Sequence, residues 1–275
     1  MPARKAKSKD DDAAAQGAEG SGYSITAIER AFKVLNAFSQ ERSELTLTDL
    51  VALTGLPKTT TFRLLSTLVG HDFCTFDSAT GRYSLGFAVL RLGEIRRRQG
   101  DAHRHLIPVM REIRDQANET VVLSIRVGDE RIHIEVVEAM QPIRQVVMLG
   151  SRAPLYTGAA SKLLLSAMPD DEIDAYFDRT RLEPMQGTTI TDADKLRGEI
   201  AQIREAGFAE SRGELIPGGV ALAAPVRDYS GRIMGALGVL TPSQRYDAKH
   251  RKRAIAALVD GAARASRTLG YRGQI

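Results

Sequence analysis

The stretch from Thr48 to Leu85 constrains the fold of this chain more than any other part of it. It reads as a short helix, a tight turn, a second helix and a β-hairpin. Gly55 can take the left-handed conformation that ends a helix, and Pro57 suits the start of the next one. A turn over residues 78–81 separates the two strands of the hairpin. This order of elements predicts a winged helix-turn-helix.

The spacing of side chains gives the expected details of this unit. Thr48 is predicted to cap the first helix, and Leu56 is predicted to fill the angle between the two helices. In the second helix Phe62, Leu65 and Leu68 recur at helical spacing, so all three are expected to face the core.

The second helix opens with small hydroxyl-bearing side chains and two cations. The candidates for contact with double-stranded DNA are Lys58, Thr59, Thr60 and Arg63, with Arg82 in the wing. No Asp or Glu occurs over residues 50–71, which suits a phosphate-lined groove. The alternative is an ordinary helical hairpin with a solvated basic face. The acid-free run, the helix spacing and the wing together favour DNA binding.

Length and charge separate the chain into parts with different expected roles. A length of 275 residues allows two domains. Residues 23–100 carry 10 Lys or Arg against 7 Asp or Glu, residues 101–244 carry 16 against 21, and residues 245–275 carry 8 against 2. The acidic middle is a poor DNA binder by charge, so the N-terminal domain is the better candidate.

Composition also sets the expected surroundings of the protein. The single cysteine, Cys74, excludes a disulfide within one chain and fits a reducing cytoplasm. No apolar run of 18 residues is present, so no membrane span is expected. Residues 1–22 are rich in Ala, Gly, Ser and charge and are expected to be a disordered tail. The basic residues of this tail either touch the DNA backbone or are simply solvated.

The predicted organisation is a winged helix-turn-helix domain over residues 23–85, a linker helix over 86–104 and a C-terminal domain over 105–275. The linker ends in three consecutive arginines at 96–98, which either lie near phosphates or are solvated. In the C-terminal domain, strands are expected at 121–127, 131–137, 143–149, 220–226 and 232–240, and helices at 105–118, 159–168, 170–177, 192–206 and 249–269. Strands at both ends with helices between them imply an α+β fold.

Two glycine-rich loops of the C-terminal domain can build a small-molecule site. Residues 150–162 lead into a helix whose start, at Gly158, Ala159 and Ala160, is uncrowded. Free backbone N–H groups there would accept a carboxylate. Residues 214–220 precede a buried strand, and the two loops are expected to face one pocket. For either loop alone, a purely structural turn is the simpler interpretation.

The sequence does not favour an enzyme. The common nucleotide-binding, zinc-protease and serine-hydrolase motifs do not occur in it. The five histidines are scattered, and His133 on a predicted strand is expected to be packed or solvent-facing rather than catalytic. No metal or other cofactor is therefore expected. A DNA-binding protein that senses no ligand is a further alternative, but it would leave residues 106–270 without a role.

Five segments carry a resemblance that spans residues 23–270: ERAFKVLNAF, LTGLPKTTTFRLLSTL, GRYSLGFAVLRLG, GSRAPLYTGAASKLLLS and GELIPGGVALAAPVRDYSGRIMGALGV. In this order they are similar to the IclR family of bacterial transcriptional regulators. The resemblance implies a winged helix-turn-helix joined to an effector-binding domain of GAF-like α+β fold. It also implies homodimers or dimers of dimers on palindromic operators, and effectors that are small carboxylates or aromatic compounds of catabolism.

The same resemblance assigns roles to individual positions. The DNA-reading positions of the family fall on residues 58–60 and Arg63. The family's backbone contacts to an effector carboxylate fall on Ala159 and Ala160. Ser161, where the family often has Gly, either contacts the ligand or caps the helix.

Four further positions concern the identity of the effector. Ser211, Ala221, Gly238 and Leu240 match positions that carry an acid, a thiol and two hydroxyls in glyoxylate- or pyruvate-responsive members. Three of the four lack a polar side chain here. The expected ligand is therefore larger and more apolar than these acids, such as an aromatic carboxylate.

Overall fold

A computed structural model of the chain describes residues 25–39, 41–98 and 105–273, and the side chains of residues 96–98 are outside that description. The predicted tail over residues 1–22 also lies outside the described residues. The chain divides into two compact units between Gln99 and Gly100. The helix-turn-helix and the linker helix belong to the first unit.

The N-terminal unit combines helices with a small antiparallel sheet. In chain order its elements are α1 (Thr26–Leu35), β1 (Leu45–Thr46), α2 (Leu47–Thr54), α3 (Lys58–Gly70), β2 (Cys74–Asp77), β3 (Arg82–Leu85) and α4 (Phe87–Arg98). The strands pair in the order β1-β3-β2, so β2 and β3 form a wing. The predicted order of helices and wing is confirmed, and β1 is an additional strand that the sequence did not indicate.

The first helix of the motif starts earlier than expected, because Thr46 rather than Thr48 caps α2. The Thr46 hydroxyl accepts a hydrogen bond from the Asp49 backbone N–H at 3.2 Å, and the Asp49 carboxylate accepts one from the Thr46 N–H at 2.9 Å. This reciprocal pair satisfies two backbone donors at once and fixes the start of the helix. Gly55 ends α2 with φ of 65°, as predicted.

The inward face of α3 differs from the prediction at one position. Leu65 and Leu68 are buried, but Phe62 is 52% exposed. Thr61 takes its place in the interior and donates its hydroxyl hydrogen bond to the Pro57 carbonyl. With about 100° of rotation per residue, positions 61, 65 and 68 share one face of α3, and Phe62 is turned by about 100° from Thr61.

The wing is joined to α4 by a close backbone approach at Gly86. A Cβ at this position would lie 2.1 Å from the Asp72 carbonyl oxygen, so no other residue fits without movement of the backbone. The Ala88 N–H donates to the same oxygen at 3.0 Å. The start of the linker helix is thereby fixed to the turn that follows α3.

The C-terminal unit is a six-stranded antiparallel sheet between two layers of helices. Its elements are α5 (Leu106–Ala117), β4 (Thr120–Val127), β5 (Glu130–Val137), β6 (Arg152–Pro154), α6 (Ala159–Ser166), α7 (Asp170–Arg179), α8 (Ala193–Ala206), β7 (Ala209–Arg212), β8 (Gly219–Arg227), β9 (Ile233–Pro242) and α9 (Ala248–Thr268). The strand order is β6-β5-β4-β9-β8-β7. Helices α5 and α9 cover one face, and α6, α7 and α8 cover the other. The predicted α+β class is confirmed.

One predicted strand is wrong. Residues 143–149 form an irregular loop, and β6 rather than this segment pairs with the edge of β5. The apolar run that suggested a strand has another cause, because its side chains Val146, Val147 and Met148 line a cavity. Strand β7 was not predicted.

Across the described residues, no helix is long and apolar enough to cross a membrane.

Candidate functional site

The start of α3 is open and basic. Lys58, Thr59 and Arg63 are exposed, and Thr60 is half-buried. The preceding Pro57 offers no side-chain cap, and the first turn contains no acid. The described residues provide no acceptor for the N–H groups of residues 58–60. Together with the positive end of the helix dipole, these donors make the helix start attractive to phosphate.

Arg82 lies beside the turn of the wing. It is exposed, stands opposite Asp77 in the β2–β3 register, and donates a long hydrogen bond of 3.4 Å to the Glu44 carbonyl oxygen. The Asp77 carboxylate is occupied within the turn, where hydrogen bonds from Thr80 and Ala79 lower its pKa. Arg82 therefore remains available for an anion at this edge of the unit.

A cavity of about 370 Å³ lies in the C-terminal unit, between the start of α6, the sheet and the loop over residues 138–151. The structure brings all the sequence-predicted effector residues to this one cavity: Gly158, Ala159, Ala160, Ser161, Ser211, Ala221, Gly238 and Leu240. The two glycine-rich loops face it together, as expected. Four titratable side chains also line it: Arg131, His133, Arg152 and Glu214.

Two of the N–H donors at the start of α6 are already engaged. The Gly158 N–H donates to the Glu214 carboxylate at 2.9 Å, and the Ala159 N–H donates to the Ser211 hydroxyl at 3.0 Å. The N–H groups of Ala160 and Ser161 find no acceptor among the described residues. The Ser161 hydroxyl is buried and also lacks a partner. The helix start therefore keeps three unsatisfied donors beside the cavity.

A buried ion-pair network holds Glu214 in place. Lys162 is completely buried, and its ammonium donates to Glu214 at 2.6 Å and to Glu199 on α8. The pairing of Lys162 with Glu214 was not predicted. A signal was present, because Lys162 is the only charge within the apolar run AASKLLLSAM of α6. Buried lysines are rare unless they are paired.

Arg131 and His133 form the polar lining on β5. Arg131 is 6% exposed, its Nε has no hydrogen-bond partner, and burial lowers its pKa to about 10. The Nδ1 atom of His133 lies 2.8 Å from the Ser124 hydroxyl. Burial, and then the nearby Arg131 charge, lower the pKa of His133 to about 3, so its imidazole is neutral. His133 is packed, as expected, and Arg131 was not predicted.

The remaining wall of the cavity is apolar. Ala221 and Leu240 are opposite each other on β8 and β9, and Val122 is opposite Gly238 on β4 and β9. A Cβ at Gly238 would lie 2.9 Å from a methyl group of Val122, so this part of the wall is closely packed. Within the described part of the chain, no cluster of His, Cys, Asp and Glu could hold a metal ion.

Comparison with known proteins identifies the family. The IclR helix-turn-helix domain matches residues 27–78, and the bacterial transcriptional regulator IclR C-terminal domain matches residues 99–267. The chain belongs to the IclR family of bacterial transcriptional regulators. It is similar to the HTH-type transcriptional regulator KipR of Bacillus subtilis (strain 168), with 34% identity over 244 residues that cover 89% of this chain and 97% of KipR.

Solved structures of IclR-family proteins share the fold. The IclR transcriptional regulator from Alicyclobacillus acidocaldarius aligns with a TM-score of 0.77 and 28% identity, covering 90% of this chain and all of that one (100%). An IclR homologue from Microbacterium hydrocarbonoxydans, crystallised with 4-hydroxybenzoate, aligns with a TM-score of 0.73 and 22% identity over 89% of this chain and 99% of that one.

Membership of the IclR family gives the general function. This chain is a ligand-responsive, DNA-binding transcriptional regulator and not an enzyme. The helix-turn-helix match contains α3, and the match to the IclR C-terminal domain contains the cavity.

Proposed function

We propose that α3 reads operator DNA through the side chains of Lys58, Thr59, Thr60 and Arg63. Their exposure on an acid-free helix start supports this role. Side chains at the start of a helix can reach base edges when that helix lies in the major groove. Arg82 in the wing contacts phosphate, which contributes affinity but little sequence preference.

The regulator acts as a homodimer on a palindromic operator, with a dimer of dimers as the larger assembly. Two recognition helices then enter successive major grooves roughly 34 Å apart. Exposed apolar side chains on α1 and α4, among them Phe32, Phe87 and Leu90, provide surface for self-association.

The effector is a small organic carboxylate with an apolar body, such as an aromatic acid from a catabolic pathway. The observation that carries this proposal is the cavity itself. It combines an apolar wall at Ala221, Gly238 and Leu240 with unsatisfied donors at Ala160 and Ser161. A two- or three-carbon acid would leave much of this wall uncovered. The Microbacterium homologue in complex with 4-hydroxybenzoate is a precedent from the same fold.

Fluorescence anisotropy with the DNA that flanks the regulator's own gene tests the proposed function. The full-length protein should bind this DNA at least about 1,000-fold more tightly than unrelated DNA of the same length. An aromatic acid that raises the melting temperature of the protein should change this affinity about 5- to 150-fold. Equal affinity for flanking and unrelated DNA would contradict the DNA-reading role. Stronger thermal shifts with pyruvate or glyoxylate than with aromatic acids would contradict the effector class.

A further inference from the structure

One carboxylate at the start of α6 accounts for the donors that are free there. The N–H groups of Ala160 and Ser161 find no acceptor among the described residues, and the buried Ser161 hydroxyl has no partner. The two oxygens of a carboxylate together accept up to about four hydrogen bonds. The effector carboxylate of the proposed function can therefore satisfy all three donors at this helix start.

Arg131, on β5, is a buried cation that lines the same cavity without a counter-ion. It is 6% exposed, and no carboxylate in the described part of the chain forms an ion pair with it. Its guanidinium donates a weak hydrogen bond of 3.5 Å to the Ser151 carbonyl oxygen, and its Nε has no partner. Because a buried charge is costly unless it is paired, this guanidinium suits an anion that the protein does not itself supply.

The charges around Arg131 do not neutralise it. Arg126 is directly opposite it on β4, so its charged cross-strand neighbour is another cation. Arg126 is bonded to Glu172, and Arg152, the other arginine of the cavity lining, is bonded to Glu130. Both of these arginines are partly exposed and each has a carboxylate of its own, whereas Arg131 is buried and has none among the described residues.

The register of the sheet separates Arg131 from the start of α6. The Ala159 N–H is bonded to Ser211, and the residues opposite one another across β7, β8, β9 and β4 connect Ser211 with Thr120. Arg126, opposite Arg131, is six residues beyond Thr120 on β4, which is roughly 20 Å of strand. The body of α6 also packs against β4 and β5, but its start belongs to the other register position. A ligand that satisfies both places therefore needs a second anionic group.

We propose that the effector carries two acidic groups, one bound at the start of α6 and the other bound by the Arg131 guanidinium, with an apolar body between them. This assignment rests on the proposed function, because it keeps the carboxylate site at α6 and adds Arg131 as a residue that determines specificity. A monoacid leaves the buried cation unpaired, whereas a diacid supplies its missing charge. The protein therefore selects diacids over monoacids of the same body.

Isothermal titration calorimetry and thermal melting of the full-length protein test the proposal with rigid aromatic acids. The diacids are terephthalate and the longer naphthalene-2,6-dicarboxylate. Each is compared with its monoamide, in which a neutral group of similar size replaces one acid, and benzoate is the monoacid reference. The test variant is Arg131→Met. Its matched control is Arg126→Met, because Arg126 is opposite Arg131 but is bonded to Glu172.

The wild-type protein should bind at least one diacid about 10- to 100-fold more tightly than its monoamide, the ratio expected for a hydrogen bond to a charged group. Arg131→Met should abolish this preference and leave the affinity for benzoate unchanged, and Arg126→Met should keep the preference. Without ligand, Arg131→Met should melt at or above the wild-type temperature, because a buried cation without a counter-ion has been removed.

Three results would overturn the assignment. The first is a wild-type protein that binds benzoate or the monoamides as tightly as both diacids. The second is a loss of benzoate affinity in Arg131→Met as large as the loss of diacid affinity, which would show that Arg131 holds the carboxylate of a monoacid. The third is a ligand-free melting temperature of Arg131→Met that falls by more than about 4 °C, which would make Arg131 a structural residue.

Failure of this assignment can be told apart from failure of the proposed function. A protein that binds benzoate but does not prefer the diacids refutes only the second acidic site. A protein that no aromatic acid stabilises, with one carboxylate or two, refutes the proposed effector class together with it. Operator binding through α3 is measured separately and does not depend on either result.

Discussion

The starts of α3 and α6 are built from similar residues and placed in opposite surroundings. Both follow a residue that provides no side-chain cap, and both have small side chains within the first turn. Lys58 and Thr59 at the start of α3 are exposed and have no nearby acid. Ala159 at the start of α6 is buried, and Glu214 and Ser211 occupy part of its donor set.

This difference shows that the surroundings, and not the donors themselves, decide what a helix start can bind. An open, cationic helix start suits a polyanion that arrives from solvent. A buried helix start, with part of its donor set already engaged, suits a small ligand that fits the adjoining cavity. In the proposed function, the same backbone chemistry serves DNA binding in one unit and effector binding in the other.

The largest effect is expected from Lys162→Met. Removing the ammonium leaves the buried Glu214 and the partly exposed Glu199 without their cation. We expect the free energy of unfolding of the C-terminal unit to fall by about 3–5 kcal/mol. Urea unfolding followed by circular dichroism measures this change. Lys195→Met on the exposed side of α8 is the control and should change it by less than about 0.5 kcal/mol. Similar small losses for both variants would refute the buried network.

The open helix start is tested by Lys58→Ala and Arg63→Ala. Each should weaken operator binding by about 1–3 kcal/mol where a base contact is lost. Arg82→Ala should weaken binding to all sequences alike and lower the salt dependence. Anisotropy titrations at several salt concentrations separate the two kinds of contact, with Arg42→Ala as an exposed control. Unchanged operator affinity in both α3 variants would remove this helix as the reader.

Glycines within helices test the same contrast between buried and open surroundings. A Cβ at Gly261 of α9 would lie 2.4 Å from Ile113, whereas a Cβ at Gly198 of α8 would meet nothing within 4 Å. Gly261→Ala should destabilise the protein by about 1–3 kcal/mol through overpacking. Gly198→Ala should stabilise it by about 0.5–1 kcal/mol. Thermal melting measures both, and shifts of the same sign would contradict the packing described for α9.

The start of α2 gives the smallest effect. Thr46→Ala should destabilise the N-terminal unit by about 1 kcal/mol, and Thr48→Ala should be nearly neutral. Hydrogen bonds from Thr46 lower the pKa of Asp49. A carboxyl whose pKa is lowered on folding contributes stability above its unfolded pKa and loses it as the pH falls through the folded pKa. The difference between Thr46→Ala and wild type should therefore shrink in acid, and a difference that grows in acid would argue against the capping pair.

The features that were predicted best from the sequence depend on residues that are close together in the chain. The helix-turn-helix follows from Gly55, Pro57 and a short apolar period, all within a few residues of one another. Its two errors are shifts of one or two positions. Phe62 was assigned to the core in place of Thr61, and Thr48 was assigned the cap that Thr46 provides.

The features that the sequence did not reveal depend on contacts between distant residues. Lys162 forms an ion pair with Glu214, which is 52 positions away in the chain, and no periodicity in the sequence predicts that pair. In the sequence, Arg131 occupies a strand position that would suit a surface arginine. Only the packing of the sheet shows that it is buried and lines a cavity. In the loop over residues 143–149, Val146, Val147 and Met148 line that cavity, whereas Ile143 and Leu149 are exposed, so its strand-like composition reflects no strand.

The central claim is that a ligand in the cavity sets the DNA affinity of α3, and a thermodynamic cycle tests it most directly. The operator dissociation constant is measured with and without the acid that raises the melting temperature most, and the dissociation constant of that acid is measured with and without saturating operator. The two ratios should be equal and differ from one, since coupling between binding sites is reciprocal. An acid that binds the cavity but leaves the operator dissociation constant unchanged within about twofold would contradict the claim, because a coupling free energy of 1–3 kcal/mol corresponds to at least about a fivefold change.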